Sequence, residues 1–325
     1  MKMVLSSRPV YQVILEVCFT SSLGLCSIVL NLLACANIWR NPLLRTWHNI
    51  FTINLIIIDL ITSVFSATFT IIVLAHGEWP MSSAMCNLSG YINAVLATIA
   101  INTLALFSFS RYHLFAHSKG YLTVWNKKRS LQAIGAVWIF AFLVCLPPLF
   151  GWGNYRFLEK NAACFLSFNA SKVYGSIFVY GVLAFPLSLS AVYLVRLHLA
   201  LRTRRRVNSQ SSDATSEDTE FRQTIRAAKS LIILAIAFIL CWLPVFIVYA
   251  LDASGVYLPR GWCLFSTLMI YVFSVILPLI YTATSSVFTI GCCTGCVQHL
   301  KILRKKSTSS VVTPEGERKD SKGSQ

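Results

Sequence analysis

Apolar residues in this chain gather into long unbroken runs, and seven can be counted, at approximately 13–38, 49–75, 85–111, 131–150, 173–199, 228–250 and 264–284. A helix needs about 20 apolar residues to cross the hydrocarbon core of a bilayer, and a barrel strand only about 10. Because each segment in lipid must satisfy its own backbone polar groups, runs of this length are read as helices. The pattern predicts an all-α membrane protein: a seven-transmembrane helix bundle at 13–284 after a short outer segment at 1–12. A short membrane-surface helix at 285–300 and a disordered tail at 301–325 are expected to follow. The third run is the sharpest, with no charged group between Cys86 and the abrupt polar end at Ser110-Arg111-Tyr112. The polar stretch 201–229 opens on Arg202-Thr203-Arg204-Arg205-Arg206 and passes through an acidic, serine-rich middle, which reads as a flexible, solvated linker.

Composition agrees with the pattern. Of 325 residues 56% are hydrophobic and only 12% charged, against about 25% charged in a water-soluble domain. A net charge of +16 raises the possibility of nucleic acid, but no nucleic-acid-reading motif accompanies the basic residues, so no such partner is expected. Their placement carries the information. Of the 28 Lys and Arg, 22 fall after odd-numbered runs or in the tail, and six (Lys2, Arg8, Arg156, Lys160, Lys172, Arg260) fall on the other side. The excess of positive charge marks the cytoplasmic face, which puts the N-terminus outside and the tail inside; a multi-pass protein of the plasma membrane is expected. The opening residues show no small-residue cleavage site, so the first span is expected to act as its own signal. No outer loop much exceeds twenty residues, so any ligand is expected to enter the bundle itself. Cys18, Cys26, Cys35, Cys145 and Cys241 lie within apolar runs and read as small core residues, whereas Cys86, Cys164 and Cys263 fall in outer loops.

Two ionisable residues stand where lipid makes them expensive. Asp59 is the acidic residue in mid-membrane, since Glu16 lies near the outer end of the first run. A carboxylate there costs about 2.5–3.5 kcal/mol on insertion scales. It therefore faces the bundle interior, either as a neutral acid hydrogen-bonded to Asn31 or as part of a polar core that helps switch the bundle. Arg111 at the inner edge is either a snorkelling side chain or a functional one. Trp242 and Phe238 are four apart and share a helical face, and Pro244 removes a helix hydrogen bond and permits a kink.

With the seven runs in place, short patterns fall in order, one set to a run: Asn31 in the first, Asn54-Leu55-Ile56-Ile57-Ile58-Asp59-Leu60 in the second, Ser110-Arg111-Tyr112 closing the third and Trp138 in the fourth. Pro186 stands in the fifth, Cys241-Trp242-Leu243-Pro244 in the sixth, and Pro278-Leu279-Ile280-Tyr281 closes the seventh. The set resembles the NLxxxDL, DRY, CWxP and PxxY motifs of the rhodopsin-like (class A) G-protein-coupled receptors over almost the whole chain. Gly151-Trp152-Gly153 with Tyr155, and the segment around Arg111, resemble the opsin and melatonin-receptor neighbourhood of that family.

The resemblance implies a receptor, not an enzyme, that passes an extracellular small-molecule signal to a heterotrimeric G protein. It makes Arg111 the group offered to the G protein and Trp242 with Pro244 the hinge of the sixth helix. It implies a Cys86–Cys164 disulfide. It places a sodium-binding cluster at Asp59, from which Ala100 and Leu277 depart, standing where many members carry polar partners; no cofactor is expected. Ser110 replaces the acid that precedes the arginine in the motif, which implies a looser resting state and raised basal signalling. Where amine receptors carry an aspartate this chain has Asn93, and where opsins carry the retinal lysine it has Tyr271, so a retinal Schiff base is excluded. Asn93, Trp242 and Tyr271 are expected to face a mostly apolar cavity suited to a small neutral or amphipathic molecule. The sequons at Asn87 and Asn169 lie on the outer side. Cys292, Cys293 and Cys296 with the following basic run imply acyl anchoring to membrane lipid, zinc binding with His299 being the rival. The serines and threonines of 307–313 offer phosphorylation sites for arrestin. Two other readings stay open: a receptor-like protein with lost or constitutive signalling, and a small multi-pass transporter, for which no internal repeat is found.

Overall fold

The structure, a computed structural model, describes residues 8–40, 49–116, 125–167, 170–208, 217–254 and 256–284. Among them seven helices are long and apolar enough to cross a membrane. They are α1 (Val10–Arg40), α2 (Ile50–His76), α3 (Ser83–Ala116), α4 (Lys127–Val144), α5 (172–208), α6 (Glu217–Ala253) and α7 (Arg260–Thr284). The central rod is α3: in its most apolar stretch 72% of residues are buried, against 17% for the α4 span and 22% for α1. It packs on α2, α4, α5 and α6, while α1 lies against α2 and α7, and α6 against α7.

Helix ends follow local chemistry. Asn126 caps α4 by accepting a hydrogen bond from the Arg129 amide at 2.9 Å, and Ser171 caps α5 through the Tyr174 amide at 3.3 Å. Gly77 closes α2 in the left-handed conformation. Two spans contain a wider turn, at Thr62–Ser66 in α2 and Ile177–Ala184 in α5. In α5 it lies just before Pro186, whose ring would clash with a carbonyl four residues back in a regular helix. The linker expected over 201–229 is shorter than that: α5 continues to Asn208 and α6 starts at Glu217, so the basic run is helical.

The outer loop between α4 and α5 holds a hairpin that the hydrophobic pattern does not announce, β1 (Tyr155–Leu158) paired antiparallel with β2 (Ala163–Leu166). It is pinned to α3 by the Cys86–Cys164 disulfide, with Cα atoms 5.5 Å apart. Tyr155 donates to the Cys145 carbonyl at 2.7 Å; burial pushes its hydroxyl above the usual range, which keeps it protonated as a donor. Gly90 on α3 faces this hairpin so closely that a Cβ there would sit 2.9 Å from the Tyr155 side chain.

At the outer rim, Glu16 gathers α1, α2 and α7. Arg260 binds its two carboxylate oxygens at 2.7 Å each, Gln12 donates at 2.9 Å, and Arg8 pairs with it while also donating to the Leu74 carbonyl at 2.6 Å. Removing the carboxylate leaves two half-buried guanidinium groups without this partner, at a cost of about 1–3 kcal/mol. Glu16→Ala is therefore expected to lower the thermal unfolding midpoint of the detergent-purified protein by several degrees, with part of the loss regained when Arg260→Gln is added.

Candidate functional site

Three polar clusters run through the bundle. In the first, Asn54 on α2 donates to Thr103 on α3 and accepts from the Trp138 indole on α4, both at 2.9 Å, joining three helices at one amide. In the second, Asn31 donates to the Ser27 and Ser274 carbonyls at 2.9 Å, Ser63 donates to Ser27 at 2.6 Å, and Ser274 donates to the Asp59 carboxylate at 2.9 Å. Asp59 is thus held by Ser274 on α7 and not by Asn31, which spends its amide on backbone carbonyls. Its other carboxylate oxygen is buried without a hydrogen-bond partner among the described residues, as is the Asn31 carbonyl oxygen. A hard cation collects about six oxygens, and here the side-chain partner of the carboxylate is Ser274 alone, Ala100 lines the adjoining cavity, and Leu277 is fully buried in the apolar core.

The third cluster lies outward. Ser66 donates to Asn93 at 2.5 Å, Asn93 donates to the Cys164 carbonyl at 3.1 Å, and the hydroxyls of Thr70 and Tyr271 pair at 2.8 Å. Asn93, Trp242 and Tyr271 all line one cavity of about 70 Å³, together with Asp59, Phe165 and Tyr249. Two of the three have their polar ends committed. The Trp242 indole N–H, by contrast, has no hydrogen-bond partner among the described residues. Its ring stacks on Phe238 at 5.1 Å and 11°, and Phe238 meets Phe273 of α7 edge-on at 5.0 Å. Pro244 lies inside α6 and Pro278 inside α7.

At the inner end of α3, Ser110 and Arg111 are buried and Tyr112 is half-buried. The Arg111 guanidinium lies over the Phe107 ring at 5.2 Å, and Tyr281 of α7 is near enough to feel its charge. Phe107 itself belongs to an aromatic belt: Phe51 stacks on it at 5.7 Å, Trp125 meets Phe51 and Phe109, and Tyr193 of α5 contacts Phe109 and Tyr112. A cation over an aromatic face is attracted by the ring quadrupole, so Phe107 supplies part of what an acid at 110 would. The spacing of four residues was the available signal.

Asn87 is exposed on the first turns of α3, with Ser89 of its sequon buried. Cys263 is a buried free thiol. Asn169, Cys292, Cys293 and Cys296 lie outside the described residues, as do the expected surface helix and tail.

Asn93 makes its two bonds to neighbouring structure, so Asn93→Ala leaves a buried carbonyl and hydroxyl exposed to that loss, at about 1–3 kcal/mol. The ligand-free protein is expected to unfold at a lower temperature than wild type in a thermal melt, an effect that a residue serving solely as a ligand contact would not show.

Comparison with known proteins matches this arrangement to a family. The profile of the 7 transmembrane receptor (rhodopsin family) matches residues 30–296. The squid rhodopsin crystal structure shares the fold with a TM-score of 0.75 at 18% identity, over 95% of this chain and 94% of that one. Among similar sequences are the mouse (Mus musculus) probable G-protein coupled receptor 101, 29% identical over 58% of this chain and 38% of its own length, and the chicken (Gallus gallus) melatonin receptor type 1A, 24% identical over 66% and 59%. Melanopsin-B of Xenopus laevis is 27% identical over 70% of this chain and 44% of its own. The chain thus spans between 38% and 59% of the length of these relatives. With the profile covering most of its length, the chain belongs to the rhodopsin family of seven-transmembrane receptors.

Proposed function

We propose that the protein is a G-protein-coupled receptor of the plasma membrane, N-terminus outside, that couples a small neutral or amphipathic ligand to a heterotrimeric G protein. The observation that carries this reading is the burial of Arg111 at the inner end of the central helix, beneath an aromatic belt and in electrostatic reach of Tyr281. A guanidinium hidden in this way becomes a contact for a cytosolic protein once the inner ends of the helices separate. The uneven Lys and Arg count supports the orientation. The small cavity carries no cation in its lining, which supports a ligand without an anionic head group. The polar tail supplies Cys292, Cys293 and Cys296 for attachment to membrane lipid and the serines and threonines of 307–313 for arrestin. Ser110 favours a second reading, a receptor with constitutive output, because the acid that would hold Arg111 is missing; Phe107 moderates that output.

Nucleotide exchange on a panel of purified G-protein heterotrimers tests this. Arg111→Ala is expected to abolish exchange. Ser110→Asp is expected to lower the ligand-free rate, and Phe107→Leu to raise it about two- to thirtyfold, the range set by a cation–π contact of about 0.5–2 kcal/mol. Full activation by Arg111→Ala would sink the proposal.

A further inference from the structure

Trp125 stands immediately before the Asn126 cap of α4, on the inner side of the bundle, and is only 4% exposed. The three residues after that cap, Lys127, Lys128 and Arg129, are all exposed, so nothing in the local sequence turns this segment inward. Two rings seat the indole instead. Phe51 of α2 meets it edge-on at 5.7 Å and 76°, and Phe109 of α3 at 5.8 Å and 67°. The indole N–H adds no hydrogen bond: it is buried without a partner among the described residues, as is the hydroxyl of Ser130 in the first turn of α4. An unpaired buried donor carries a cost, and apolar contact holds the indole in place against it.

The seat is more than local packing, because Phe51 has a second neighbour. Fully buried, its ring stacks on Phe107 at 5.7 Å and 23°, and the Phe107 ring carries the Arg111 guanidinium at 5.2 Å. A line of contacts thus runs from Trp125 through Phe51 and Phe107 to Arg111, crossing from α2 to α3. Its last link has the least margin, since a cation is attracted to a ring only within about 6 Å of the centroid. Interiors are packed densely enough that a void at one residue is felt by the next. Loss of the indole leaves a hole beside Phe51, and a ring that relaxes into it gives up its stacking on Phe107. Phe107 then loses the face that fixes its tilt under Arg111.

We infer that Trp125 is a positioning residue for Arg111. Seated between α2 and α3, it keeps Phe107 beneath the guanidinium and Arg111 out of reach of the cytosol; withdrawn, it presents Arg111. That Arg111 is what a G protein takes hold of rests on the function proposed above, whereas control of its burial by Trp125 does not. Withdrawal breaks no hydrogen bond of the indole among the described residues, and the N–H gains water as a partner on leaving. The seat is therefore held by ring area alone, and any change that removes area from it acts on Arg111.

The test uses the full-length protein in lipid nanodiscs and reads the accessibility of Arg111 itself, as its rate of modification by phenylglyoxal, an arginine-selective reagent. Mass spectrometry of the peptide carrying Arg111 gives the rate, with exposed Arg202 as the internal reference. No G protein is present, so a chain that activated none would still return an answer. Trp125→Leu and Phe51→Leu are each expected to raise the Arg111 rate about two- to thirtyfold, the span set by loss of a cation–π contact. Trp125→Phe keeps a ring in the seat and is expected to stay near wild type. Phe107→Leu is expected to raise the rate as well, and adding Trp125→Leu to it to give no further rise, because the indole acts through that ring. Phe178, near the outer end of α5, is fully buried; Phe178→Leu is expected to lower the thermal unfolding midpoint and leave the Arg111 rate unchanged, which separates positioning from damaged packing. A rate unmoved by Trp125→Leu overturns the assignment. An equal rise with Phe178→Leu, or full additivity of Trp125→Leu with Phe107→Leu, overturns it as well.

Discussion

A hydroxyl, amide or carboxylate inside a hydrocarbon slab has no water to turn to, and the arrangement of these helices follows from that constraint more than from any apolar contact. Apolar packing alone tolerates rotation of one rod against another, because lipid tails are as apolar as leucine. The bond from Asn54 to Thr103 and the bond it accepts from Trp138 do not, since turning α2 by one residue would strand all three groups. The serine-rich cluster around Asn31 fixes α1 against α7 in the same way, and the Ser108–Ser190 hydroxyl pair at 2.8 Å fixes α3 against α5. What looks in the sequence like a scatter of small polar residues within greasy runs is the registration system of the bundle.

Against that fixed frame, α6 is the element with freedom. It carries Tyr249 and, further in, Trp242, both lining the cavity, then Phe238 one turn beyond Trp242. Pro244 stands between the first of these and the other two, where its missing N–H loosens the helix ladder. Fewer polar ties bind this helix to its neighbours, among the described residues, than bind α2 or α3. Phe238 meets Trp242 and Phe273 through ring contacts at centroid distances near 5 Å, and such contacts tolerate a small shift better than a hydrogen bond does. Movement of its outer half therefore alters the space around any occupant and the stacking above Phe273 together.

Much of this was legible in the chain. The seven runs gave seven spans because period and length in a bilayer leave no other structure open, and the short motifs were each placed on the correct rod. Helix ends were misjudged where polar sequence continued as helix: the basic run after Leu201 carries no apolar face for a pattern to register, yet α5 persists to Asn208. The hairpin at 155–166 leaves no signal in the pattern, because four-residue strands containing alanine and arginine offer too short an alternation. Glu16 read as an unremarkable outer-edge acid, since its bidentate partner Arg260 lies 244 positions away. Asn93 reads equally as a ligand contact or as packing between helices; it lines the cavity and is also tied to Ser66 and the Cys164 carbonyl, and nothing local to Asn93 distinguishes those two uses. Phe107, in contrast, stands one helical turn before Arg111, a spacing that places its ring beneath the guanidinium.

The size of the inner cavity bears on how occupancy of the bundle couples to Arg111. At about 70 Å³ it leaves no room for an organic ligand in the form described, so such a ligand binds only to a wider form, and by doing so draws population toward it. The closed form carries its own costs: an indole N–H on Trp242 and a carboxylate oxygen on Asp59, both buried and without partners among the described residues. Each such group costs about 1–3 kcal/mol, and about 1.4 kcal/mol is a tenfold change in an equilibrium. Satisfying even one of them in the wider form shifts the balance between forms by about five- to about 150-fold before any contact elsewhere is counted. The same unsatisfied groups that make this interior expensive are thus the means by which a small occupant moves it, and the direction of movement follows from which form gives them a partner.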